Sequence, residues 1–224
     1  MKKRTRLADR ILPDYYKGEE IMNMVTHIIG GALGIVALPL CVIFSALHGN
    51  VYGVVGSAIY GFCMIAMYCM SSVYHGLRPG MGKKVLQVLD HCAIYFLIAG
   101  TYTVVALSAL RQVSPALAWG MFGFQWALAF AAATLTAIDL DKYDLFSLIC
   151  YVCTGWAILP FVRQTVQALT APGFYLLLAG GISYTIGAVL YALGSKRHWF
   201  HSVFHIFVVL GSLLQFLSIL LYGV

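Results

Sequence analysis

In the stretch HWFHSVFHIF, residues 198–207, His201 and His205 stand four apart where a long apolar run begins. On a helix, residues i and i+4 share a face, so the two imidazoles are placed to bind one cation together. His75 closes an earlier apolar run and offers a third nitrogen. Three imidazoles with an open fourth position form the pattern of a catalytic zinc site. Asp90 opens the next run, where a carboxylate can orient or deprotonate a water. Ser71, one turn before His75, is placed to donate a hydrogen bond to a developing oxyanion. Glu20, Asn23 and His27 enter the first run at spacings of three and four, which puts them on one helical face.

These residues need elements to hold them, and the composition says which. Of the 224 residues, 61% are hydrophobic and 10% charged; soluble domains carry about 25% charged residues. The chain therefore reads as an all-α integral membrane protein. Seven apolar stretches, roughly 24–47, 51–75, 86–110, 115–138, 145–162, 172–194 and 199–222, are each about long enough to cross ~30 Å of hydrocarbon. Pro115 and Pro172 fall at helix starts, where proline is tolerated. Pro39 and Pro160 fall inside spans and predict kinks.

Lysine and arginine set the topology. The N-terminal segment carries Lys2, Lys3, Arg4, Arg6, Arg10 and Lys17, and alternate connections carry Arg78, Lys83, Lys84, Lys142, Lys196 and Arg197. The other connections hold only Arg111 and Arg163, a division of twelve to two that places the N-terminus in the cytoplasm and the C-terminus outside. The organisation expected is a basic cytoplasmic segment over 1–23 and a seven-transmembrane domain over 24–224, multi-pass in the cell membrane. The net charge of +6 serves topology and lipid headgroups, with no case for nucleic acid. Neither a protein partner nor an oligomeric state can be inferred.

By this reading Glu20, Asn23, His27, Ser71, His75, Asp90, His201 and His205 all lie at cytoplasmic helix ends, at one level of the membrane. Polar side chains inside spans are expensive and so need a reason. Blander readings stand beside the chemical one. A lone H-x3-H at a helix start also suits headgroup contact. Helical serines commonly bond back to their own carbonyls. Glu20, Asn23 and His27 also suit a capping and anchoring cluster. His91 fits a satisfied core histidine, because its side chain points about 100° away from that of Asp90, and His198 fits a solvated one. Cys150-x-x-Cys153 lies mid-membrane without a second pair and reads as structural packing.

Glu20-x2-Asn23-x2-Thr26-His27, Ser71-x3-His75, Asp90, Ala99-Gly100-Thr101-Tyr102-Thr103 and His201-x3-His205, in this order, give a chain that resembles the bacterial hemolysin III-type members of the PAQR (progestin and adiponectin receptor) family, related to alkaline ceramidases. The resemblance covers the chain from about Glu20 to its end. It implies Zn2+ held by His75, His201 and His205, with Asp90 and Ser71 beside it, and membrane lipids as substrate or ligand. The function expected is an intramembrane zinc-dependent hydrolase acting on a ceramide-like amide or ester in membrane lipid homeostasis. The alternatives are a non-enzymatic receptor or sensor with a structural zinc, and the cytolytic activity in the family name. Short connections and a large apolar surface speak against release into water, and hence against cytolysis.

Overall fold

Where no water reaches the backbone, every N–H and C=O must find a partner within the protein, so apolar runs of this length wind into helices. The computed structural model describes residues 4–194 and 197–224, and every regular element among them is helical. Lys2, Lys3 and Lys196, used above to argue topology, lie outside the described residues. The helices are α1 (Lys17–Leu47), α2 (Val51–Gly76), α3 (Met81–Val113), α4 (Pro115–Ile138), α5 (Leu140–Gly155), α6 (Val162–Gly194) and α7 (Phe200–Tyr222). Among the described residues, six helical stretches are long and apolar enough to cross a membrane, with Leu140–Gly194 counted as one.

That 55-residue stretch would be about 80 Å long if it were straight, and it is broken instead. α5 ends at Gly155, Leu159–Phe161 forms a 3-10 turn, and Thr170 takes the left-handed φ of 62°. Pro160 therefore sits in the turn and does not kink a span, contrary to the sequence expectation; its missing N–H costs nothing where no helical bond is due. Pro172 follows the Thr170 break, close to the helix-start position expected of it. Beyond the break the chain runs back along α5. The Trp156 indole donates to Thr185 Oγ1 (2.9 Å) and the Tyr191 hydroxyl to Asp144 Oδ1 (2.9 Å), an antiparallel pairing.

α3 is the central helix. It packs against α2, α4, α5 and α6, while α1 closes on α2 and α7, and α7 on α6. Of its most apolar 18-residue window 83% is buried, against 50% or less in the other stretches. It passes through a π-helical turn at Val105–Leu110, all of it buried. The stretch Ala99–Thr103 serves this packing: the Trp126 indole on α4 donates to Thr103 Oγ1 (2.8 Å), and Gly100 lies against Cys63 of α2.

Lipid tails are as apolar as leucine, so burial of leucine does not hold such a bundle together; close packing and hydrogen bonds do. Accordingly Ile28, Ile29, Ile35 and Val36 of α1 face outward, while Asn23, His27, Gly30, Gly34, Ala37 and Cys41 form its buried stripe. At Gly61 an added Cβ would lie 2.8 Å from Leu38 Cα, a backbone atom that cannot swing aside. Gly61→Ala is expected to cost about 1–3 kcal/mol of stability, as overpacking does. Gly120, where a Cβ meets nothing within 4 Å, is the control: its alanine variant should hold or slightly raise the unfolding midpoint in detergent.

Candidate metal centre

α2 and α7 bring His75, His201 and His205 together, with one potential ligand atom from each lying within 4.8 Å of the others. The ring centroids are 4.7 Å apart for His201 and His205, 4.9 Å for His75 and His205, and 5.4 Å for His75 and His201. The Nε2 atoms of His201 and His205 are 3.1 Å apart. Tetrahedral coordination with bonds of about 2.0–2.1 Å would separate neighbouring nitrogens by roughly 3.3 Å, so two lone pairs can converge there on one cation.

His75 is oriented by its other nitrogen. Nδ1 lies 2.6 Å from Glu20 Oε2, close enough for its N–H to donate to the carboxylate. Nε2 then carries the lone pair, and it is buried with no hydrogen-bond partner among the described residues. An imidazole held by a carboxylate on one nitrogen and free on the other is the arrangement of a metal ligand with its outer-shell support. Asn23 Nδ2 lies 3.4 Å from the same Nδ1. Glu20 Oε1 accepts from Lys83 Nζ (2.6 Å), which also donates to the Leu77 carbonyl (3.0 Å). Lys83 is only 4% exposed, so it serves as the partner of the part-buried Glu20 carboxylate and not as a headgroup contact. Glu20→Gln should weaken metal affinity about 10–100-fold, read by competition against a chelator of known affinity.

His27 comes to the site without joining the trio. It stacks on His205 with centroids 3.8 Å apart and planes at 25°, so its nitrogens lie alongside those of His205 and do not converge with them. Asp90, Ser71, His27, His201 and His205 all line one cavity. The Ser71 hydroxyl is buried and closes no hydrogen bond among the described residues, whereas Ser72 bonds back to the Tyr68 carbonyl (2.7 Å). His91, part-buried on the same cavity, has Nδ1 2.8 Å from the Gln87 carbonyl, to which its N–H can donate, and Nε2 3.3 Å from the Tyr191 hydroxyl. His198 is half-exposed and paired, its Nδ1 3.1 Å from Glu19 Oε2 and its ring stacked on Tyr16. All six cysteines are free, so Cys150-x-x-Cys153 forms no bridge.

Sequence reasoning missed Glu19 and Tyr15. Glu19, 1% exposed, accepts from the backbone N–H of Tyr16 and of Trp199. Trp199 precedes α7 with φ 68°, so this carboxylate anchors the start of the helix that carries His201 and His205. The sequence signal was a second acid beside Glu20. Tyr15 stacks on His201 (4.9 Å, 20°) and tilts onto His75 (5.9 Å). Burial, together with Glu20, Asp90 and Glu19 nearby, pushes its phenol up, so it remains a neutral O–H donor.

The family model described as "Haemolysin-III related" matches residues 15–216, a span that contains every residue of this site. The chain belongs to the haemolysin-III related family. Hemolysin-3 of Bacillus cereus is 37% identical over 204 residues, covering 91% of each chain. The Hemolysin-3 homolog of Bacillus subtilis (strain 168) is 34% identical over 206 residues, covering 92% of this chain and 95% of that one. Monocyte to macrophage differentiation factor of Homo sapiens is 26% identical over 226 residues, covering 98% and 90%. No solved structure matches. This haemolysin-III related protein is a multi-pass membrane protein, and its His75, His201 and His205 cluster could hold a metal ion.

Proposed function

We propose that the protein is an intramembrane zinc-dependent hydrolase acting on a ceramide-like amide or ester of a membrane lipid. The observation that carries this reading is the convergence of His201, His205, Asp90 and Ser71 on one cavity, with His75 beside them in the trio. Zinc bound by three imidazoles would polarise a carbonyl and bring the pKa of water near 7. Asp90 accepts the proton of the attacking water. Ser71 donates to the oxygen on which charge develops. Glu20 and Lys83 hold His75 in register.

The cavity supports a lipid substrate. Its α3 wall runs from Asp90 to Val105, about 22 Å along the helix. Beyond the polar end the lining is apolar, with Leu97, Ile98, Phe174, Leu177 and Val208. A long acyl chain fits such a lining, with its amide or ester at the histidines. We further assign seven crossings, with α5 and α6 as separate spans, the N-terminus cytoplasmic and the C-terminus outside. The substrate then enters from the cytoplasmic leaflet, and the activity belongs to membrane lipid homeostasis. A scan of ceramides and acyl esters with the zinc-loaded protein tests the reading; product that forms only with metal present supports it. Zinc-loaded protein that turns over none of them leaves the sensor with a structural metal as the better account.

A further inference from the structure

The segment ahead of α1 is tied down along its length. The Arg4 guanidinium donates to the Ile138 carbonyl (3.0 Å), and the Thr5 N–H to Asp139 Oδ2 (2.9 Å). Lys84 Nζ on α3 reaches the Ala8 carbonyl (2.5 Å). Arg10, 5% exposed, donates to Gln87 Oε1 (3.1 Å) and pairs with Asp141 (3.3 Å). The segment thus crosses from the α4–α5 connection, over the start of α3, to α1. It ends with Tyr15 on the His201 and His75 rings and Tyr16 on His198. A polar chain carrying Arg6, Asp9, Arg10 and Asp14 belongs to the aqueous side, so its course lies between the histidines and water.

We propose that residues 4–16 are a strap over the aqueous mouth of the histidine site, with Tyr15 as the positioning residue that roofs the His201 and His75 rings and gates metal exchange with water. The inference rests on the metal reading above. Its physical content is an opening equilibrium. While Tyr15 is stacked, a water-borne chelator has no line of approach to the ligand nitrogens, and release must wait for the strap to lift. The closed side toward water also fits substrate arriving from the membrane.

The test is the rate at which the zinc-loaded, full-length protein gives up zinc to an excess of a water-soluble chromogenic chelator. Wild type should hold one zinc and release it slowly. Tyr15→Ala should release it about two- to tenfold faster, as loss of aromatic stacking implies, while starting from the same zinc content. Tyr15→Phe keeps the ring and should stay near the wild-type rate. Arg10→Gln loosens the strap five residues from the site and should also speed release. A wild-type rate in both Tyr15→Ala and Arg10→Gln overturns the strap and leaves the metal site standing. A fast Tyr15→Phe overturns the ring as the seal. Wild-type protein that takes up no zinc removes the metal reading itself, and the strap's role falls with it.

Discussion

Zinc content is expected to fall from one per chain to none when His201 and His205 are both replaced by alanine. The two side chains supply two of three converging nitrogens from adjacent turns of one helix. With only His75 left, neither tetrahedral geometry nor useful affinity survives. Stability should follow. An ion that binds the folded state alone stabilises it by about 4 kcal/mol at 1,000 times its dissociation constant. An ion held by His75, His201 and His205 would join α2 to α7, which otherwise meet through contacts such as the Tyr68 hydroxyl with Ser212 Oγ (2.6 Å). Chelator should therefore lower the unfolding midpoint of wild type toward that of the double variant, and leave the double variant unmoved. A double variant that keeps its zinc would refute the ligand assignment. A wild type indifferent to chelator, although it carries zinc, would place the ion elsewhere.

The second large effect is expected at Asp90. Asp90→Asn preserves shape and removes the basic oxygen, and the residue lies on the cavity without belonging to the trio. Turnover of a lipid amide or ester should drop about 10²–10⁴-fold, the contribution of a positioned general base, while zinc content and the unfolding midpoint stay at wild-type values. Asp90→Ala should behave alike. The separation is diagnostic because a ligand variant loses metal and turnover together, whereas a base variant loses turnover alone. Unchanged turnover in Asp90→Asn would sink the general-base role; simultaneous loss of zinc would move Asp90 into the coordination sphere.

Much of this molecule is written locally. Composition and run length are enough for an apolar helical protein, because the hydrocarbon leaves the backbone no other way to satisfy itself. The helical period places His201 above His205 and Ser71 above His75, and the cost of charge in lipid singles out Asp90. The structure gathers Ser71, Asp90, His201 and His205 around one cavity, with His75 beside them in the trio.

What needed the tertiary structure depends on contacts between residues far apart in the chain. Periodicity put Glu20 and His27 on one face, but only the packing of α1 against α2 and α7 separates their roles: Glu20 supports His75, and His27 stacks on His205. Lys83 looked like a topology charge until a carboxylate 63 positions away was found 2.6 Å from it. Pro160 fell in a hydropathy window that averages over a turn. Tyr15 carries no sequence signal at all, since its meaning comes from a histidine 186 residues later in the chain. A few neighbouring residues encode which face of a helix is polar. Which partner that face meets is decided by the docking of helices, and no single segment holds that information.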